Sequence, residues 1–84
     1  MYALFIKPSA ERDLRKLSRT TRERIHLKIL TLRDDPRPHG SRKLSGNLEG
    51  WRIRVGDYRI LYYIDDATKS ITVVRVKHRR DVYR

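Results

Sequence analysis

Cysteine is absent from this chain, which excludes a disulfide framework, a thiolate zinc site and any Cys nucleophile. Acidic residues are scarce: 10 Asp and Glu stand against 21 Lys and Arg, a formal net charge of +11 with a pI near 10.7. So large an imbalance repels itself in the free protein and attracts polyanions, so a phosphate-rich partner is the first inference. No apolar run reaches the length of a membrane span. The opening Tyr2 to Ile6 is too short for a signal-peptide core and has no basic segment before it, so a cytoplasmic protein is expected. At 84 residues the chain has room for one domain, residues 1–84, whose core buries only about 60 to 65% of the unfolded surface.

The strongest pattern lies at Trp51 to Ile64, where two alternating runs flank Gly56-Asp57, a pair that favours a tight hairpin turn. Such a turn sets Val55 opposite Tyr58, Arg54 opposite Arg59, Ile53 opposite Ile60, Arg52 opposite Leu61 and Trp51 opposite Tyr62. One face is then Trp51, Ile53, Val55, Tyr58, Ile60, Tyr62 and Ile64, and it requires a core. The other gathers Arg52, Arg54 and Arg59, with Leu61 and Tyr63 further along. Like charges in register destabilise a sheet by up to ~1 kcal/mol, so an anion is expected to compensate. The competing reading is a solvated cationic face.

Taken in order, Tyr2 to Lys7 reads as a strand ended by Pro8. Ser9 is the expected cap of a helix whose Ala10, Leu14 and Leu17 share one side. Thr20 and Glu23 have capping-box spacing for a second helix to about Arg33, with a stripe of Ile25, Ile29 and Leu32. Leu27 and Leu30 lie off that stripe, facing either the first helix or a partner. Asp34 to Lys43 holds two prolines and a glycine and reads as a loop that ends in Arg42 and Lys43. Leu44 and Leu48 are expected core anchors on the approach to the hairpin. After a turn at Asp65 to Ser70, Ile71 to Lys77 is a further strand, although Val73-Val74 leaves its buried face open. The tail runs His78-Arg79-Arg80-Asp81-Val82-Tyr83-Arg84. The expected fold class is α+β, in the order β-α-α-β-β-β, with a helical hairpin on one face of an antiparallel sheet.

Arginines on a sheet face, with His78, Arg79, Arg80 and Tyr83 at a strand end, suit RNA or single-stranded nucleic acid, because guanidinium forks grip phosphate and aromatic rings stack on bases. The pairs Asp34-Asp35 and Asp65-Asp66 and the isolated His26, His39 and His78 lack metal-ligand spacing, so neither a metal nor a cofactor is expected. No serine sits in a nucleophile elbow. RNA cleavage by the substrate's own 2′-hydroxyl remains open, with cations plentiful and the base and acid not obvious.

The segments L-S-G-N-L-E-G-W-R-I-R-V-G-D-Y-R-I-L-Y-Y-I-D-D and V-K-H-R-R-D-V-Y-R resemble the RelE family of bacterial toxins within the RelE/ParE superfamily, and the resemblance spans nearly the whole chain. It implies a microbial-RNase-like fold and a metal-independent mRNA interferase acting in the ribosomal A site. It also implies a cognate antitoxin, acidic or amphipathic, that wraps the toxin. Its catalytic positions fall on Arg52, Arg54, Arg59, Arg79 and Tyr83, with Arg52 and Arg54 standing where the best-known member has lysines. His78 matches a histidine that some relatives carry, and a neutral imidazole can transfer a proton where arginine cannot. Arg42, Lys43, Tyr63 and Arg80 are expected to hold RNA. The alternatives are a ParE-like inhibitor of DNA gyrase and a non-catalytic nucleic-acid-binding module.

Overall fold

The computed structural model describes residues 1–44 and 50–82, arranged as β1 (Ala3–Ile6), α1 (Pro8–Arg15), α2 (Arg19–Thr31), β2 (Arg42–Lys43), β3 (Gly50–Val55), β4 (Tyr58–Asp65), β5 (Ser70–His78) and α3 (Arg79–Val82). Leu48, Glu49 and Tyr83 lie outside the described residues. The sheet order is β1-β5-β4-β3-β2, with β1 parallel to β5 and every other pair antiparallel. The α+β class is as expected, but the sheet is mixed and not wholly antiparallel, because β1 joins the edge parallel to β5; in addition, Arg42-Lys43 is recruited from the expected loop as an edge strand, and the tail folds into a helical turn.

The hairpin of β3 and β4 has the register that its alternation dictates, from Gly50 opposite Tyr63 to Val55 opposite Tyr58. Gly56 supplies the positive φ, +58°, at the first central position of the turn, as a II′-type connection requires. The apolar face meets α1 and α2, so Ile53, Ile60, Tyr62 and Ile64 are buried with Ala10, Leu14, Ile25, Ile29 and Leu32. Ile25, Ile29 and Leu32 recur every turn on one side of α2, and all three have no exposed surface.

The strand whose face was ambiguous is resolved by a bulge. Leu61 pairs with Arg75 but Tyr62 pairs with Val73, leaving Val74 as an extra residue. Ile71 and Val73 enter the core before the bulge, and Val76 enters it afterwards. Downstream of Val74 the parity is therefore inverted.

Both helix starts differ from the sequence expectation. Lys7 occupies the N-cap of α1 in extended geometry with no side-chain cap, and Pro8 begins the helix without needing a donor. Ser9 is thereby free to donate from Oγ to the Val74 carbonyl at 2.6 Å. Ser18, not Thr20, caps α2 by accepting from Thr21 N, and Glu23 pairs with Arg19 one turn before it.

The Ser9 bond belongs to a larger substitution. Pairing of β1 with β5 stops at Val73, which would leave the rest of that edge open. Asp13 takes over there: its Oδ2 accepts from Val76 N at 2.8 Å and from Arg75 Nε at 2.8 Å. Burial alone opposes ionisation of Asp13 and is the largest influence, yet the Arg75 bond, the Val76 N–H and the nearby cations together hold its carboxyl below the usual range. Asp66 is likewise lowered, by bonds from Arg37 and Tyr2. A carboxylate lowered on folding stabilises the native state above its unfolded pKa, and that contribution disappears as pH falls through the folded value. Stability is thus expected to decline on acidification below about pH 4, and Asp13→Asn should flatten that decline. An unchanged pH profile of the melting temperature would remove Asp13 from this role.

Candidate nucleic-acid interface

The sheet face away from α1 and α2 is ordered in rows by its register. Arg42, Arg52 and Leu61 are successive neighbours across β2, β3 and β4, and Arg54, Arg59 and Lys77 across β3, β4 and β5. One cleft of about 300 Å³ is lined by Gly40, Arg42, Arg52, Arg54 and Arg59. A second, of about 430 Å³, is lined by Arg54, Gly56, Asp57, Arg59, Arg79 and Arg80. Arg54 and Arg59 belong to both, so the two clefts form one cationic groove with these side chains at its junction.

The arginines differ in exposure although alternation treats them alike. Arg54 is exposed and Arg52 half-buried, whereas Arg59 is only 3% exposed. A guanidinium so enclosed has little rotamer freedom left to lose on binding an anion, and a drier setting strengthens its field.

Each rim is held by its own bonds. The loop before β2 carries Gly40, whose φ of +95° suits glycine, and is tied down where Tyr62 Oη donates to the Pro36 carbonyl at 2.8 Å. Burial pushes the Tyr62 phenol up to about 12, so this donor keeps its proton. Arg37 stacks over Trp51 at 5.2 Å and makes a two-point bond to Asp66. On the opposite rim, Arg79 N donates to the Asp57 carbonyl at 2.7 Å and Arg79 Nε lies 4.0 Å from Asp57 Oδ1.

Among the expected site residues, Arg42, Arg52, Arg54, Arg59, Arg79 and Arg80 thus line one groove. Tyr63, half-buried, shares the face one row beyond Leu61. Tyr83 lies outside the described residues. Two residues are placed elsewhere. Lys43 pairs with Trp51 and so belongs to the opposite parity from Arg42. His78 pairs with Tyr58, a core-face residue, and meets its ring edge-on at 5.1 Å. The bulge at Val74 puts His78 in phase with Val76, and the arginine face receives Lys77 instead. The cause is the inverted parity, which the sequence expectation of a cationic surface containing His78 had no means to include.

Gly40 and Asp57 are the groove residues that sequence reasoning passed over, and Lys77 joins the arginine face by register alone, opposite Arg59. Lys77 carried no signal without the bulge, and Asp57 was legible only as a turn residue. Among the described residues no three His, Asp or Glu side chains gather as a metal site would require, and no helix is long and apolar enough to cross a membrane.

Known proteins share this fold. The family model described as ParE toxin of type II toxin-antitoxin system, parDE, matches residues 4–83. Toxin RelG of Mycobacterium tuberculosis (strain ATCC 25618 / H37Rv) is 34% identical over 87 residues, covering 99% of this chain and 97% of RelG. A chain of the RelBE2 toxin-antitoxin complex from M. tuberculosis superposes with a TM-score of 0.81 at 29% identity, covering 92% of this chain and 96% of that one. The isolated E. coli RelE toxin does so with a TM-score of 0.80 at 28% identity, covering 93% and 84%. A match over nearly the whole sequence, together with the same sheet and helical hairpin, means that this chain belongs to the RelE/ParE family of type II toxin-antitoxin toxins.

Proposed function

We propose that the protein is a ribosome-dependent mRNA endoribonuclease that cuts in the A site. The observation that carries this reading is the enclosed Arg59 at the junction of two arginine-lined clefts. In the reaction, a 2′-oxygen forms a bond to the adjacent phosphorus and the bond to the 5′-oxygen breaks, leaving a 2′,3′-cyclic phosphate and a 5′-hydroxyl. The 2′-hydroxyl loses its proton and the departing 5′-oxygen gains one. Extra negative charge develops on the phosphorane oxygens, and preorganised cations beside them lower the barrier. Arg59 and Arg54 are assigned that role, with Arg52 and Arg42 holding the backbone on one side and Arg79 and Arg80 on the other.

Guanidinium groups hold their protons too tightly for acid/base work, and His78 faces the other side of the sheet. The protein therefore contributes charge and alignment, and an RNA already bent and held by the ribosome supplies the remaining geometry. Primer extension on one mRNA, naked or being translated, tests this. Cleavage confined to the translated message is expected, and equal cutting of both would exclude ribosome dependence. The matching family model is described as a ParE toxin, and the ParE-like alternative, inhibition of DNA gyrase, is the second reading. An intact transcript together with loss of gyrase supercoiling would establish that alternative.

RelE-type relatives occur with antitoxins, as in the E. coli RelBE and Pyrococcus horikoshii RelE-RelB complexes. A cognate antitoxin is assigned here too, with an acidic, amphipathic segment suited to the +11 charge. Leu27, 64% exposed in a shallow cleft with Leu14, Arg22, Glu23 and His26, offers it an apolar foothold.

A further inference from the structure

We propose that His78 is a positioning residue: its imidazole caps α3 and so holds Arg79 and Arg80 at the groove. Two successive backbone donors at the start of α3 would otherwise lack partners. Arg79 N is satisfied by the Asp57 carbonyl at 2.7 Å, and Arg80 N donates to His78 Nδ1 at 3.2 Å. The second bond has the pattern of an N-cap, in which a side chain just before a helix accepts from its second residue, a position usually filled by Asn, Asp or Ser. It requires a lone pair on Nδ1, and so a ring whose proton sits on Nε2. The ring's plane is set by its edge-on contact with Tyr58, at 88° between planes.

Protonation undoes this cap. An imidazolium has no acceptor left, and it places a positive charge at the positive end of a helix. The cleft that His78 lines is shared with Asp13 from α1 and Lys16 at its C-cap, Tyr58 from β4, Arg75 and Lys77 from β5, and Asp81 from α3, with Arg79 and Arg80 at the start of that turn. Asp13 is already committed to Arg75 and Val76 N. When the ring takes up a proton, Arg80 N–H is released and the start of α3 loosens. A histidine-like pH dependence of cleavage then arises without the ring touching RNA.

The cleavage arm of the test rests on the nuclease reading, and the structural arm does not. His78→Asn supplies a cap that does not titrate. Its cleavage rate on ribosomes is expected within about threefold of wild type and flat between about pH 5.5 and 7.5, whereas His78→Ala loses about tenfold. The protection factor of the Arg80 amide, followed by exchange-resolved NMR, should fall with acidification in wild type, stay level in His78→Asn and be low throughout in His78→Ala. If Asn fails as badly as Ala while remaining folded, the ring acts chemically and the proposal is wrong. If Arg80 protection ignores both pH and substitution, there is no cap. Should the wild type cut nothing on ribosomes, the nuclease reading falls and the Arg80 amide still decides the capping role.

Discussion

Arg59→Ala is expected to slow cleavage of ribosome-bound mRNA by ~100-fold or more, the size of effect seen when one preorganised donor to a developing anion is removed. Arg59 stands at the junction of both clefts and is only 3% exposed, so no other side chain can swing into its place without rebuilding the groove. Its cross-strand neighbours are Arg54 and Lys77, so truncation also relieves like-charge repulsion within the sheet. The loss of stability should therefore stay near ~1 kcal/mol, an ordinary value for a single substitution. Arg59→Lys separates charge from shape: it keeps the cation and loses the planar fork, and is expected to fall between the two. Single-turnover cleavage, with melting temperatures measured in parallel, reads both effects. An Arg59→Ala rate within a few-fold of wild type would remove this side chain from the chemistry.

Ile29→Ala is expected to have the largest effect on the fold. Ile29 is fully buried between α2 and the sheet, in line with Ile25 and Leu32. Removing its outer carbons forfeits their burial and leaves a cavity, ~2 to 5 kcal/mol for such a change. A domain of this size has about 5 to 15 kcal/mol in all, so the melting temperature should drop by roughly 10 to 30 °C. Leu27→Ala, on the opposite side of the same helix at 64% exposure, is the comparison and should move stability by no more than about 0.5 kcal/mol. Urea titrations of the two variants measure the contrast directly. Equal losses would mean that α2 packs by another face.

The two substitutions fall in regions that could be read without coordinates. Ile25, Ile29 and Leu32 declare their common side through helical spacing. Arg52, Arg54 and Arg59 declare theirs through strict alternation on either side of Gly56-Asp57. The register of that hairpin is a local matter, since a two-residue turn permits few pairings, and it held from Gly50 to Tyr63. The groove's remaining members come from further away. Arg42 joins because a short segment pairs with β3 at the sheet edge, and Arg79 because its backbone bonds to the hairpin turn at Asp57.

The amino-acid sequence by itself determined the strong positive charge, the absence of cysteine chemistry, the α+β class, the buried stripe of α2 and the sorted faces of the central hairpin. Tertiary structure alone decided how deeply Arg59 is enclosed, that Ser9 and Asp13 complete the β5 edge where β1 ends, and which way His78 turns. The last follows from one residue. Alternation is a period of two, so the extra Val74 reverses the face of every β5 residue after it. Whether a β-branched pair such as Val73-Val74 lies in a regular ladder or a bulge depends on the neighbouring strand's hydrogen bonds, which no pattern within β5 encodes.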